Sequence, residues 1–128
     1  MEELLEIVEK EGERFNRYKT PFIVVLLSIN IVDKNLQIQY LHKLIMKFKN
    51  EFEKIKRKID YIFRYKNSII FVLPNLDLDK GKGFIDRIFY FIDKSIKENY
   101  INHSQENDFV LIDSIIKVHV ILLSLIHI

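Results

Sequence analysis

The stretch RKIDYIFRYKNSIIFVLP, from Arg57 to Pro74, decides how this chain folds. Two apolar, aromatic-rich runs flank a short polar connection. In the first run Tyr61, Phe63 and Tyr65 alternate with Ile62 and Arg64, the period of two that sends neighbouring side chains to opposite faces of a strand. Ile69 to Leu73 is continuously apolar and closed by Pro74, the pattern of a strand covered on both faces. Lys66-Asn67-Ser68 joins the two runs, and Asn67 is expected to supply the left-handed backbone conformation of a tight turn. The stretch therefore reads as a β-hairpin with Arg57 and Asp60 at its entrance. Function is expected at the turn or at that Arg-x-x-Asp.

Outward from the hairpin the periodicity changes. Phe22 to Ile29 (FIVVLLSI) is apolar and β-branched, as expected of a central strand. Residues 2–18 place Leu4, Leu5, Val8, Gly12 and Phe15 on one helical face, and Thr20-Pro21 ends that helix. A second helix is expected from about Asn35 to Lys56, with Leu41, Leu44, Ile45, Phe48, Phe52 and Ile55 at helical spacing. After Pro74, NLDLDKGKG is expected to be a loop in which Asp77 or Asp79 caps a third helix, whose first turn Gly81 and Gly83 weaken. That helix presents Phe84, Ile85, Ile88, Phe89, Ile92 and Ile96 on one face. NYINHSQEND reads as a polar loop, and Phe109–Ile112 and Ile115–Leu122 as two further strands.

The resulting order is α-β-α-β-β-α-β-β. Its middle is the split βαββαβ arrangement of ferredoxin-like domains, an α+β fold with an antiparallel sheet and helices on one face.

Composition narrows the classes of function. The 128 residues suit one domain that buries roughly two-thirds of its unfolded surface. There is no cysteine, which removes disulfides and thiolate metal sites. No run reaches the roughly 18 uninterrupted apolar residues of a membrane span, and the acidic start EELLEIVEKEGE is the opposite of a signal peptide. A cytoplasmic protein is expected. Net charge is +2 but unevenly spread: between Lys43 and Lys66 nine Lys and Arg face only Glu51, Glu53 and Asp60, while residues 1–13 hold six glutamates and one lysine. A basic half of this kind suits a phosphate-bearing partner, although a solvated helix face accounts for most of it. The last six residues, LSLIHI from Leu123 to Ile128, equal one reading frame of the mosaic-end adaptor of transposase-based sequencing libraries. They are expected to be a sequencing-adaptor or assembly scar, which leaves residues 1–122 as the domain and sets His127 aside.

Four local patterns resemble the GGDEF domain family, whose active members are diguanylate cyclases. ERFNRYKTPFIVVLLSIN (Glu13 to Asn30) is similar to the family's helix end, Arg-Tyr-x-x-Pro turn and first strand. RKIDYIFRY (Arg57 to Tyr65) resembles the run leading into the signature turn, FVLP (Phe71 to Pro74) the strand leaving it, and GFIDRIFYFI (Gly83 to Ile92) the helix that follows. The resemblance implies the nucleotidyl-cyclase-type version of the same ferredoxin-like fold. The family's Asp-x-Leu-Thr-Gly segment normally precedes the first helix, so the resemblance also implies a domain truncated at one or both ends.

The departures from the family are chemical. Lys66-Asn67-Ser68-Ile69 stands where active members have Gly-Gly-Asp/Glu-Glu-Phe, without the glycines that let phosphates approach the backbone or the acids that hold Mg²⁺ and activate a 3′-hydroxyl. Ser28-Ile29-Asn30 replaces the metal-binding Asp-x-Asp, so Ser28 and Asn30 are degenerate metal positions. The family's guanine contacts fall on Leu36-Gln37 and Leu44-Ile45. The resemblance thus implies a degenerate, catalytically inactive member with no cofactor.

One site of the family is retained in type. Arg57 and Asp60 match its inhibitory Arg-x-x-Asp, and Arg87 matches a further arginine of that site, which binds cyclic di-GMP. A guanidinium can fork onto guanine O6 and N7 or pair with phosphate, and a carboxylate can accept from guanine N1 and N2. The structural alternative is a helix-end cation and a strand-start acid forming an ion pair. Two other classes of function stay open: a structural or dimerising module of a longer signalling protein, and, less favoured, an RNA-binding module stacking bases on Tyr61, Phe63 and Tyr65. The histidines at 42, 103, 119 and 127 show no metal spacing, and Asp77 and Asp79 read as capping residues.

Overall fold

A computed structural model describes residues 2–31, 38–96, 99–102, 108–112 and 116–124. Three helices and six strands follow one another as α1 (Glu2–Tyr18), β1 (Phe22–Ile31), α2 (Ile38–Ile55), β2 (Tyr61–Tyr65), β3 (Ser68–Pro74), α3 (Leu78–Ile96), β4 (Asn99–Asn102), β5 (Asp108–Ile112) and β6 (Ile116–Ser124). The strands form one sheet in the order β2-β3-β1-β6-β5-β4, and every neighbouring pair is antiparallel. The α+β class and the antiparallel sheet are those expected from periodicity.

The hairpin forms with Tyr65 opposite Ser68 and a two-residue turn at Lys66-Asn67. The left-handed residue is Lys66, at φ 55°, and not Asn67 as the sequence suggested. Asn67 is drawn toward β1 instead, where its side chain and carbonyl both bond, so the strained conformation falls on the residue before it.

Alternation along the central strands sorts two cores. Ile23, Val25, Leu27 and Ile29 of β1, with Ile69, Phe71 and Leu73 of β3 and Val118, Val120 and Leu122 of β6, meet the apolar faces of α2 and α3. Ring contacts run from Phe52 on α2 to Phe71 on β3 at 5.6 Å and from Phe71 to Phe84 on α3 at 5.2 Å, locking both helices to one strand. Phe22, Ile70 and Val72 point the other way and are covered by Leu4 and Phe15 of α1, with Tyr61 and Phe63 at the margin. Helices thus lie on both faces, which corrects the expectation of one. β3 is apolar on both sides, and a strand of that kind needs a cover on each.

Several boundaries also move. The buried stripe of α1 runs through Leu4, Glu11 and Phe15 with Ile7 and Val8 beside it, and Leu5 is exposed. α1 ends at Tyr18 as expected, and there Lys19 adopts φ 55° with its amide bonded to the Phe15 carbonyl. Ile55, expected on the buried face of α2, is exposed. α3 begins at Leu78, because Asp77, one of the two expected caps, accepts from the Lys80 amide through Oδ1. Gly81 then lies inside the helix against Ile23 and Leu122, where a Cβ would collide with the Ile23 side chain. NYIN, read as part of a loop, is strand β4 paired with β5. β6 continues past Leu122, setting Leu123 and Ser124 opposite Val24 and Ile23. The start of the second helix near Asn35, the Leu36-Gln37 pair, His103 and residues 125–128 lie outside the described residues.

Candidate functional site

The two ends of the hairpin bring together the residues singled out from the sequence. At the turn end, β1 pairs with β3 so that Ser28 stands opposite Ser68. Their hydroxyls lie 3.1 Å apart. The Asn67 amide donates to the Ile29 carbonyl at 3.1 Å and to Asn30 Oδ1 at 2.9 Å, and its backbone carbonyl accepts from the Ile29 amide at 3.0 Å. The turn end therefore holds two neighbouring pairs of neutral side chains, Ser28 with Ser68 and Asn30 with Asn67. Ile69, next along β3, is fully buried in the core.

Mg²⁺, which the resemblance stated above would imply at these positions, does not fit the residues present. Hydroxyls and amides stand there in place of the hard carboxylate oxygens such a cation needs, and Asn30 Oδ1 already accepts from the Asn67 amide. Lys66 adds a cation beside them, its ammonium 5.3 Å from the Tyr65 ring centre. Among the described residues no three His, Asp or Glu side chains gather as a metal site.

At the entrance end the groups are charged. Residues 57–60 form a turn closed by the Asp60 amide donating to the Arg57 carbonyl at 3.1 Å. Asp60 reaches back across it: Oδ2 accepts from the Arg57 amide at 2.9 Å, and Oδ1 accepts from Arg57 Nη2 at 2.7 Å. Arg57 Nε lies 3.0 and 3.1 Å from the two oxygens. The other Nη2 hydrogen goes to the Pro74 carbonyl at 2.7 Å, tying the turn to the end of β3. The exposures differ sharply, 2% for the Asp60 side chain against 43% for that of Arg57. Asp60 is an inward-facing clamp, and Arg57 is a cation held rigidly at the surface.

Beside that cation lies a cavity of about 430 Å³ lined by Ile55, Arg57, Phe84, Arg87 and Ile88. Its size falls in the range of small-molecule sites, about 300–1,000 Å³. α3 supplies Phe84, Arg87 and Ile88 because positions i, i+3 and i+4 share a helix face. The Arg87 guanidinium lies 5.9 Å from the Phe84 ring centre, and among the described residues it has no carboxylate partner. Arg57 and Arg87 thus share one opening over an apolar floor. Sequence reasoning paired these arginines, but it missed Ile55, Phe84 and Ile88 as lining and the Pro74 carbonyl as an anchor.

The aromatic row of the hairpin is placed differently. Tyr61 and Phe63 pack into the cluster under α1, and Tyr65 is the exposed member. His42 is exposed on α2, and His119 on β6 stands opposite Ser28.

Comparison with family models, with curated proteins and with solved structures returned no match.

Proposed function

We propose that this chain is a catalytically inactive GGDEF-type signalling domain, cytoplasmic and bacterial, that receives cyclic di-GMP at the Arg57–Arg87 cavity. The observation that carries the reading is that cavity: two guanidinium groups at the mouth of an apolar recess, one of them immobilised by a buried carboxylate. A preorganised guanidinium loses little freedom on binding, and Arg57 keeps Nη1 to donate to an anionic oxygen. The four-strand order β2-β3-β1-β6, with α2 and α3 on the same face, supports a ferredoxin-like core, extended here by the β4–β5 hairpin. The neutral cluster at Ser28, Asn30, Asn67 and Ser68 supports the absence of cyclase chemistry, since two-metal phosphoryl transfer needs carboxylates there.

A structural or dimerising module of a longer signalling protein is the competing reading, and it draws on the same clamp. An ion pair pinning the turn before β2 to the end of β3 accounts for Arg57 and Asp60 without any ligand. The receptor reading is favoured by what that account leaves over, namely Arg87 and the recess between the two arginines. The RNA-binding reading has less support, because Tyr61 and Phe63 offer their rings to α1.

Calorimetric titration with cyclic di-GMP tests the proposal, with Arg87→Ala as control because Arg87 is exposed and its loss leaves the clamp intact. Saturable heat in the parent that is lost in the variant is expected. No heat at tens of micromolar ligand would end the receptor reading. Product formed from GTP and Mg²⁺ above a no-protein blank would end the inactive one.

A further inference from the structure

We infer that the cavity reads the phosphates of a cyclic dinucleotide and not the guanine base, so that it takes guanine and adenine cyclic dinucleotides with similar affinity. This rests on the receptor reading above and specifies what the receptor recognises.

Guanine differs from adenine by the donors at N1 and N2, and reading them requires an acceptor in the site. Asp60 is the one carboxylate in the Arg-x-x-Asp, and its geometry removes it from that task. Oδ1 already accepts from Arg57 Nη2 and Nε, and Oδ2 from the Arg57 amide and Nε, all between 2.7 and 3.1 Å. With 2% of its side chain exposed, no face of the carboxylate is turned to a ligand. The side chains that do line the cavity are apolar (Ile55, Phe84, Ile88) or purely donating (Arg57, Arg87). Among the described lining residues, a guanine edge carrying N–H donors meets no acceptor side chain.

The opposite guanine edge, O6 and N7, is an acceptor pair that an arginine fork can span with two parallel N–H groups. Arg57 no longer has such a pair, since Nε and Nη2 are engaged with Asp60 and the Pro74 carbonyl. It keeps Nη1, a cationic donor suited to a single phosphate oxygen. Arg87 keeps its whole fork, but a charged phosphate competes for it better than a neutral purine edge does. The base is left with the apolar floor and the planar guanidinium of Arg87, and either contact serves any purine alike. Asp60 is then a positioning residue that fixes the direction of Arg57.

Calorimetric titration of the whole chain with cyclic di-GMP and with cyclic di-AMP at matched ionic strength decides the matter. Dissociation constants within about threefold of each other are expected, whereas a read guanine edge would separate them by about tenfold or more. That second result overturns the inference and leaves the receptor standing. Silence from both ligands overturns the receptor and the inference together. Asp60→Asn, checked for folding by its melting curve, separates the roles further. Loss of affinity for both ligands by the same factor supports positioning, and loss confined to cyclic di-GMP overturns it. Because the first comparison uses the unaltered chain, it decides even where the variant does not fold.

Discussion

The two ends of the β2–β3 hairpin hold polar groups in opposite ways. At the turn the side chains are neutral and bonded in pairs, Ser28 with Ser68 and Asn67 with Asn30. At the entrance, Arg57 and Asp60 are charged, and the match between them is unequal. A carboxylate taken out of water must have its oxygens coordinated, and Asp60 draws an amide and two guanidinium nitrogens to itself. An arginine has five N–H donors, more than one carboxylate and one carbonyl can absorb, so Arg57 keeps a free flank. A neutral cluster can satisfy itself completely, while a buried acid paired with arginine leaves a directed cation over. That difference is why the candidate ligand site lies at one end of the hairpin and a turn of paired neutral side chains at the other.

The comparison can be broken most forcefully at the charged end. Arg57→Ala strands a buried carboxylate with a backbone amide as its remaining donor, and it should lower stability by about 3 kcal/mol, the scale for orphaning a buried charge. Urea unfolding measures it, and a loss of only a few tenths would mean the clamp is an ordinary surface pair. The neutral end should give less. Asn67→Ala removes the bonds to the Ile29 carbonyl and Asn30 Oδ1, an expected loss of about 1–2 kcal/mol in the same assay. An unchanged midpoint would show that the turn does not depend on its side-chain ties.

Smaller effects sharpen the picture. A double-mutant cycle on Ser28→Ala and Ser68→Ala should return a coupling of about 0.5 kcal/mol for the hydroxyl pair, whereas strict additivity would mean the two do not interact. Lys66→Gly relieves a side chain at φ 55° and, after glycine's entropic penalty, should raise the unfolding free energy by about 0.5 kcal/mol. A drop in stability on that change would place the strain elsewhere in the turn.

Legibility from sequence followed the strength of local pattern. β1 and β3 announced themselves as unbroken apolar runs, and α2 and α3 as wide apolar faces. Asn99–Asn102 did not, because a short polar strand exists only through its partner β5, a pairing that local pattern does not reveal. Leu5 and Glu11 exchanged their expected places on α1 because an acidic residue argues for the solvent side unless a partner such as Arg14, 3.4 Å away, goes with it. At the site, the spacing of Arg57 and Asp60 showed that the two could meet but not which would face inward. No pattern could reveal that Ile55 turns out beside Arg87, since a helix's last turn leaves its own stripe once the chain bends away.

By itself the sequence determined the hairpin, the central strand, the helical faces and the neutral residues at Ser28, Asn30, Asn67 and Ser68, because each is a matter of residue type or of spacing along one segment. Tertiary structure alone decided that helices cover both sheet faces, that Asp60 is sealed against Arg57, and that Arg57 and Arg87 open onto one recess. Those outcomes depend on burial and on groups distant in sequence, where the energy of a charge is set by what surrounds it and not by the residues beside it in the chain.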